Sequence, residues 1–174
     1  MARTVWLVLL SLALFSPAGP GLAQKWVVHQ PRGAGFKVEF PVPPRSDSRE
    51  LTSPSRPARL YTSFVNQGRR AFAANRTVFQ LGTLTSGLTK HLDAGRDAML
   101  QSNHGQLREE RRLTVGGAPA RRIVLDMPAQ EQVMVSLLVI KDDVFYQLIY
   151  VGPNGTETSA DAKRFFSSFK LLGR

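Results

Sequence analysis

Ser167-Ser168-Phe169-Lys170 is the stretch whose residue types and spacing most directly suggest covalent chemistry. A Ser-x-x-Lys spacing on a helix sets an amine beside a hydroxyl, as some serine acyltransferases require. Those enzymes also need Ser-Asp-Asn and Lys-Thr-Gly elements, and neither occurs here. Four-residue matches arise by chance, so this one reads as structure. Gly-x-Ser-x-Gly, His-Glu-x-x-His, a Walker loop and Gly-x-Gly-x-x-Gly are also absent. His91, Asp93 and Asp97 could contribute to a metal site, but residues two apart on a helix point in different directions. They read better as solvated helix charge. Asp142-Asp143 could chelate a hard cation, yet a two-residue turn favours Asp for backbone reasons alone. With Cys 0, thiol nucleophiles, redox pairs and thiolate metal sites are excluded. The expectation is a chain that is not an enzyme, with no catalytic residue, cofactor or metal.

Charge is the stronger signal. The chain has 23 Lys+Arg against 13 Asp+Glu, a formal net charge of +10, and 17 of the cations are Arg. Residues 1–23 hold only Arg3, which leaves +9 on residues 24–174. Basic pairs recur at Arg69-Arg70, Arg111-Arg112, Arg121-Arg122 and Lys163-Arg164. Such a surface attracts anionic partners, and each basic side chain near an anionic bilayer contributes about 1 kcal/mol. The candidate polyanion-binding residues are Arg45, Arg49, Arg56, Arg59, Arg69 and Arg70. No aromatic–basic nucleic-acid motif appears, and Glu109-Glu110 interrupt one potential basic run, so nucleic acid is not an expected partner. Asn75-Arg76-Thr77 and Asn154-Gly155-Thr156 match the glycosylation sequon, which matters only in a host that glycosylates its secreted proteins. Trp26, Tyr61, Tyr146 and Tyr150 could line a pocket, although aromatic residues on strands more commonly pack.

The elements that must position these groups follow from periodicity. Trp26-Val27-Val28 and Phe36 to Phe40 read as short strands; Phe36, Val38 and Phe40 share one face. Residues 41–57, rich in Pro, Ser and Arg, read as a mobile loop. Runs at 58–66 and 70–80 flank Asn66-Gln67-Gly68 as a hairpin. Over 84–102 the period becomes helical: Leu84, Leu88, Leu92 and Met99 fall on one side, with Gly95 a weak spot. Four strands follow at 106–115, 120–127, 131–141 and 144–151, joined by connectors too short for a crossover, so they must form an antiparallel meander. Val133 to Ile140 is apolar except for Ser136 and belongs in the centre. After Gly152-Pro153-Asn154-Gly155, Thr158 and Asp161 resemble a capping box. Ala162, Phe165, Phe166 and Phe169 then form one stripe of a short terminal helix.

The chain opens with the order of a secretory signal peptide: Arg3, an apolar run from Val5 to Phe15, then Pro17, Gly19, Pro20 and Gly21 before a small-residue site ending at Ala23. The run is shorter than the about 20 residues a spanning helix needs. Residues 1–23 are therefore expected to be removed, leaving 24–174 as one periplasmic or secreted domain that is not integral to the membrane.

"GFKVEFPVPP", "VFYQLIYVGP" and "DAKRFFSSFKLL" resemble the PsbP-like class of bacterial secreted proteins, in order across about residues 26–172. The resemblance implies an α+β fold: an antiparallel sheet, a meander of about six strands, flanked by two helices as a PsbP-like α/β/α sandwich. It implies no activity, because the matching motifs are structural. Pro43-Pro44 and the Arg-rich segment after it depart from the pattern. The function expected is an exported, non-enzymatic envelope domain that binds or stabilises a partner, an envelope protein or an anionic envelope surface, with no specific role assigned. The alternative is a basic module for anionic lipid or polysaccharide.

Overall fold

The computed structural model describes residues 25–51, 57–84 and 86–173. The expected signal peptide and Arg56 lie outside them. Among the described residues ten strands form two sheets, accompanied by two α-helices. The small sheet joins β1 (Val27–His29), β2 (Phe36–Phe40) and β10 (Lys170–Leu171) in the order β1-β2-β10. The large sheet has seven strands in the order β3-β4-β5-β9-β8-β7-β6, every neighbouring pair antiparallel. These are β3 (Arg45–Leu51), β4 (Ala58–Gln67), β5 (Arg70–Phe79), β6 (Gln106–Val115), β7 (Ala118–Met127), β8 (Gln132–Lys141) and β9 (Val144–Pro153). Helix α1 (Leu88–Asn103) carries the chain from β5 to the far edge at β6. Helix α2 (Ala160–Ser168) follows β9.

The expected meander is present as β6 to β9, and Gly68 turns the β4–β5 hairpin with φ 65. Two expectations are corrected. The segment read as a loop contains β3, so the large sheet has seven strands and not about six, and a second sheet accompanies it. β3 is polar on both faces and almost wholly exposed, so it carries no hydrophobic alternation. Charge suits an edge, where it discourages pairing with other chains. The helix cap also shifts by one: Ser159, not Thr158, accepts the backbone N–H of Ala162.

Antiparallel register divides the large sheet into two faces. One face of β7 and β8 receives α1: Leu92 and Met99 pack with Ile123, Leu125, Met134, Leu138 and Ile140. Gly95 is no defect. A Cβ there would stand 2.9 Å from the Phe145 ring, so its absence lets the helix approach the sheet. The other face is covered by β2 and α2. Phe40 and Phe72 close on Phe165 with ring centroids 5.3 and 5.4 Å away. Phe36 meets Phe169 at 5.8 Å. β8 is buried from Val133 to Ile140, as a strand covered on both faces must be, and Ser136 donates to the Leu148 carbonyl. Gly152 permits a sharp exit from β9, since a Cβ there would lie 2.4 Å from Tyr150 Oη and 2.5 Å from Thr156 Oγ1.

Phe165 is fully buried, and truncating such a ring removes both its transfer free energy and its packing. Phe165→Ala should therefore lower unfolding free energy by about 3–5 kcal/mol in urea titration. Phe64→Ala, at a position 39% exposed, should change it by less than about 1 kcal/mol.

Candidate functional site

The structure spends most of the groups that suggested chemistry on local structure. Ser167 donates to the Arg164 carbonyl at 3.2 Å. Ser168 donates to the Phe165 carbonyl and accepts the Glu39 backbone N–H, both at 2.8 Å. Lys170 lies on β10, opposite Lys37. Asp143 is buried and accepts the N–H groups of Leu84 and Gly82, each at 2.8 Å, anchoring the segment that leads into α1. Those backbone bonds hold its carboxyl below the usual range. No group of three His, Cys, Asp or Glu side chains suited to a metal occurs among the described residues. None of their helices is long and apolar enough to cross a membrane.

The six candidate arginines do not share one environment. Arg45 and Arg49 lie on one face of edge strand β3, cross-strand from Phe64 and Leu60. Neither has an ion-pair partner among the described residues. Arg59 occupies the opposite face of the sheet and pairs with Glu50, whose hydrogen bond raises the arginine's pKa. Arg69 approaches Glu131 only to 3.9 Å, and Arg70 pairs with Asp161 at 2.6 Å.

A cleft of about 200 Å³ opens between the β1–β2 connection and the β3–β4–β5 edge. Its polar lining is Arg32, Ser46, Asp47, Tyr61, Thr62, Ser63 and Arg76, two cations against one carboxylate; Pro31, Ala34, Phe36 and Ala74 supply apolar wall. Behind it, His29 Nε2 lies 2.8 Å from Ser63 Oγ, and the Ser46 and Ser63 hydroxyls are 3.1 Å apart. The His29 ring meets Phe40 edge-on at 5.6 Å. Burial holds its pKa below the ordinary 6.5. Among the described residues no carboxylate is bonded to His29, so nothing there orients it as a catalytic triad would. Sequence spacing could not reveal this cleft, because its groups come from four separate segments. The only hint was Tyr61, one of four aromatic residues read as pocket or packing.

No protein-family model matches the chain, and no curated protein sequence matches it. The solution structure of cyanobacterial PsbP (CyanoP) from Synechocystis sp. PCC 6803 superposes with a TM-score of 0.59 at 11% identity, covering 91% of this chain and 99% of that one. The chain has the PsbP-like fold. A Pseudomonas aeruginosa protein of unknown function aligns with a TM-score of 0.46 at 10% identity, covering 86% of this chain and 97% of its own.

Within this PsbP-like frame, the opening motif is β2 and its exit, and the closing motifs are β9, α2 and β10. A second feature was hidden in the sequence. Arg121, one of the basic pairs counted toward surface charge, is 2% exposed. It pairs with Asp93 of α1 at 2.6 Å and with Glu110 of β6. Arg96 joins the same network, 3.5 Å from Asp93, 2.8 Å from Asp97 and 3.0 Å from Glu110. This corrects the reading of Asp93 as merely solvated charge, while Asp97 stays largely exposed as expected. Burial pushes the Glu110 carboxyl up, but the hydrogen bonds and charges of Arg96 and Arg121 outweigh that and leave it below its ordinary value. The PsbP-like sheet is thus tied to α1 by ions as well as by apolar packing.

Two outcomes are expected. Arg121→Ala strands two carboxylates that partly regain water, so it should cost about 2–3 kcal/mol in urea unfolding, below the figure for a fully dry pair. For His29, the unfolded state takes up a proton first as pH falls. Its contribution to stability is therefore full above pH 6.5 and declines on acidification through the depressed folded value. The melting temperature should fall from about pH 7.5 to 5.5, and His29→Gln should flatten that slope in differential scanning calorimetry.

Proposed function

We propose that this chain is an exported envelope domain that acts by binding rather than by turning over a substrate. Its partner is a protein surface bearing acidic groups. The observation that carries this reading is the pairing of unneutralised Arg45 with exposed Phe64, directly opposite each other on β3 and β4. Val42, 38% exposed, borders the same shallow depression of about 230 Å³. Arg49 extends the cationic rim along β3. Helix α1 packs chiefly on β7 and β8, away from the β3–β4 edge. An aromatic ring beside an arginine is the composition that dominates binding energy at protein interfaces. The N-terminal segment, with its apolar run and small-residue site, supports export.

A second reading is favoured by the same unpaired cations: Arg45 and Arg49 as contacts to anionic lipid or polysaccharide, without the ring. Affinity capture of the tagged protein from its own envelope fraction separates the two. On the leading reading, Arg45→Glu and Phe64→Ser each abolish recovery of a specific protein partner. Loss with Arg45→Glu alone, together with salt-sensitive sedimentation on anionic vesicles, would favour the surface reading. Capture and sedimentation unchanged in both variants would overturn both.

A further inference from the structure

Among the described residues Arg76 is the one half-buried arginine that forms no ion pair. It sits on β5, half-buried at the floor of the cleft, on the face opposite Arg45 and Phe64. Its Nε is shut off from solvent and has no hydrogen-bond partner among the described residues. The Tyr61 ring lies beside it, its centroid 5.2 Å from the guanidinium carbon. Arg70, Arg96 and Arg122, likewise half-buried, are all answered by carboxylates. A screened Nε–H with no acceptor, on a guanidinium that forms no ion pair among the described residues, is a donor that an arriving anion can satisfy.

We infer that the cleft binds a small organic carboxylate, whose charged end bonds to Arg76 and whose apolar body lies against Ala34, Phe36 and Ala74. The guanidinium edge matches a planar carboxylate with two parallel N–H bonds. The apolar wall rewards a carbon skeleton, which inorganic anions lack. The volume of about 200 Å³ equals about seven waters, which suits an acid of benzoate size. Arg32 stands on the roof turn, and the Ser46 and Ser63 hydroxyls, bonded to each other and through Ser63 to His29, leave at most one proton for a ligand. The roof is held before any ligand arrives. Ala34 N–H bonds the Pro31 carbonyl at 3.1 Å, Tyr146 Oη donates to the Ala34 carbonyl at 3.3 Å, and Leu172 N–H donates to the Gly35 carbonyl at 2.8 Å. Gly35 is required there, with φ 73 and a hypothetical Cβ only 3.0 Å from Tyr146 Oη. A site so held spends little of its binding energy on ordering. The inference does not depend on a partner docking at Arg45.

The test is titration of the protein, purified after export, with sodium benzoate, following arginine Nε–H and Tyr61 resonances by NMR. Inorganic phosphate is the comparison arm. Benzoate should give saturable shifts at Arg76 and Tyr61 with a Kd below about 10 mM. Arg76→Gln should weaken binding at least about tenfold, and Arg112→Gln, at an exposed position on β6, should leave it unchanged. Arg76→Lys retains the charge but loses the planar fork, and should also bind more weakly; it decides the matter if Arg76→Gln fails to fold. No saturable shift, equal affinity in the Arg76 variants, or phosphate binding the cleft more tightly than benzoate would overturn the assignment.

Discussion

The burial of Phe165 is the constraint on which the rest of this molecule depends. One ring, without exposed surface, holds together α2, β2 and β5 through Phe40 and Phe72. Burying such a side chain contributes on the order of 1.5–3 kcal/mol, and its neighbours multiply the effect through shared packing. Because α2 is held down, the chain after it can run back as β10 along β2. Leu172 then reaches Gly35 and closes the roof of the cleft. The path from the terminal phenylalanines to the candidate ligand site is thus a chain of packed contacts, each with a named partner.

Electrostatics sorts the arginines into two populations. Most of those placed near carboxylates serve the fold. Arg121 and Arg96 tie α1 to β6, Arg70 tethers the start of α2 through Asp161, and Arg164 pairs with Glu39 while stacking 5.0 Å over Trp26. Among the described residues Arg32, Arg45, Arg49, Arg76 and Arg112 lack such partners, and of these only Arg76 is half-buried. A strongly positive composition says little by itself about binding, because a cation already neutralised inside the fold attracts nothing outside it. The informative residues are the ones left unanswered.

Much of the architecture was legible in the chain. Phe36, Val38 and Phe40 announced an inward strand face, short connectors forced β6 to β9 into a meander, and the spacing of Ala162, Phe165 and Phe169 marked the terminal stripe. These features are local, and period alone encodes them. Strand β3 escaped because an edge strand needs no buried face. β10 escaped because two residues carry no period. Arg121 escaped because nothing in the order of residues distinguishes an arginine met by Asp93 and Glu110 from one facing water. The cleft draws His29, Ser46, Ser63 and Arg76 from separate strands, so only tertiary register unites them. Gly95 shows the converse: a helix weakness in the sequence becomes a packing requirement once Phe145 is beside it.

Native-state hydrogen exchange tests the central claim most directly. If Phe165 locks the small sheet and α2 to the large sheet as one cooperative unit, the ladder amides of β2 and the Leu172 amide exchange with the same free energy as the central amides of β8. If β2 and the C-terminal segment instead exchange through a low-energy local opening while β8 stays protected, the aromatic lock is contradicted, and with it the preformed roof over Arg76.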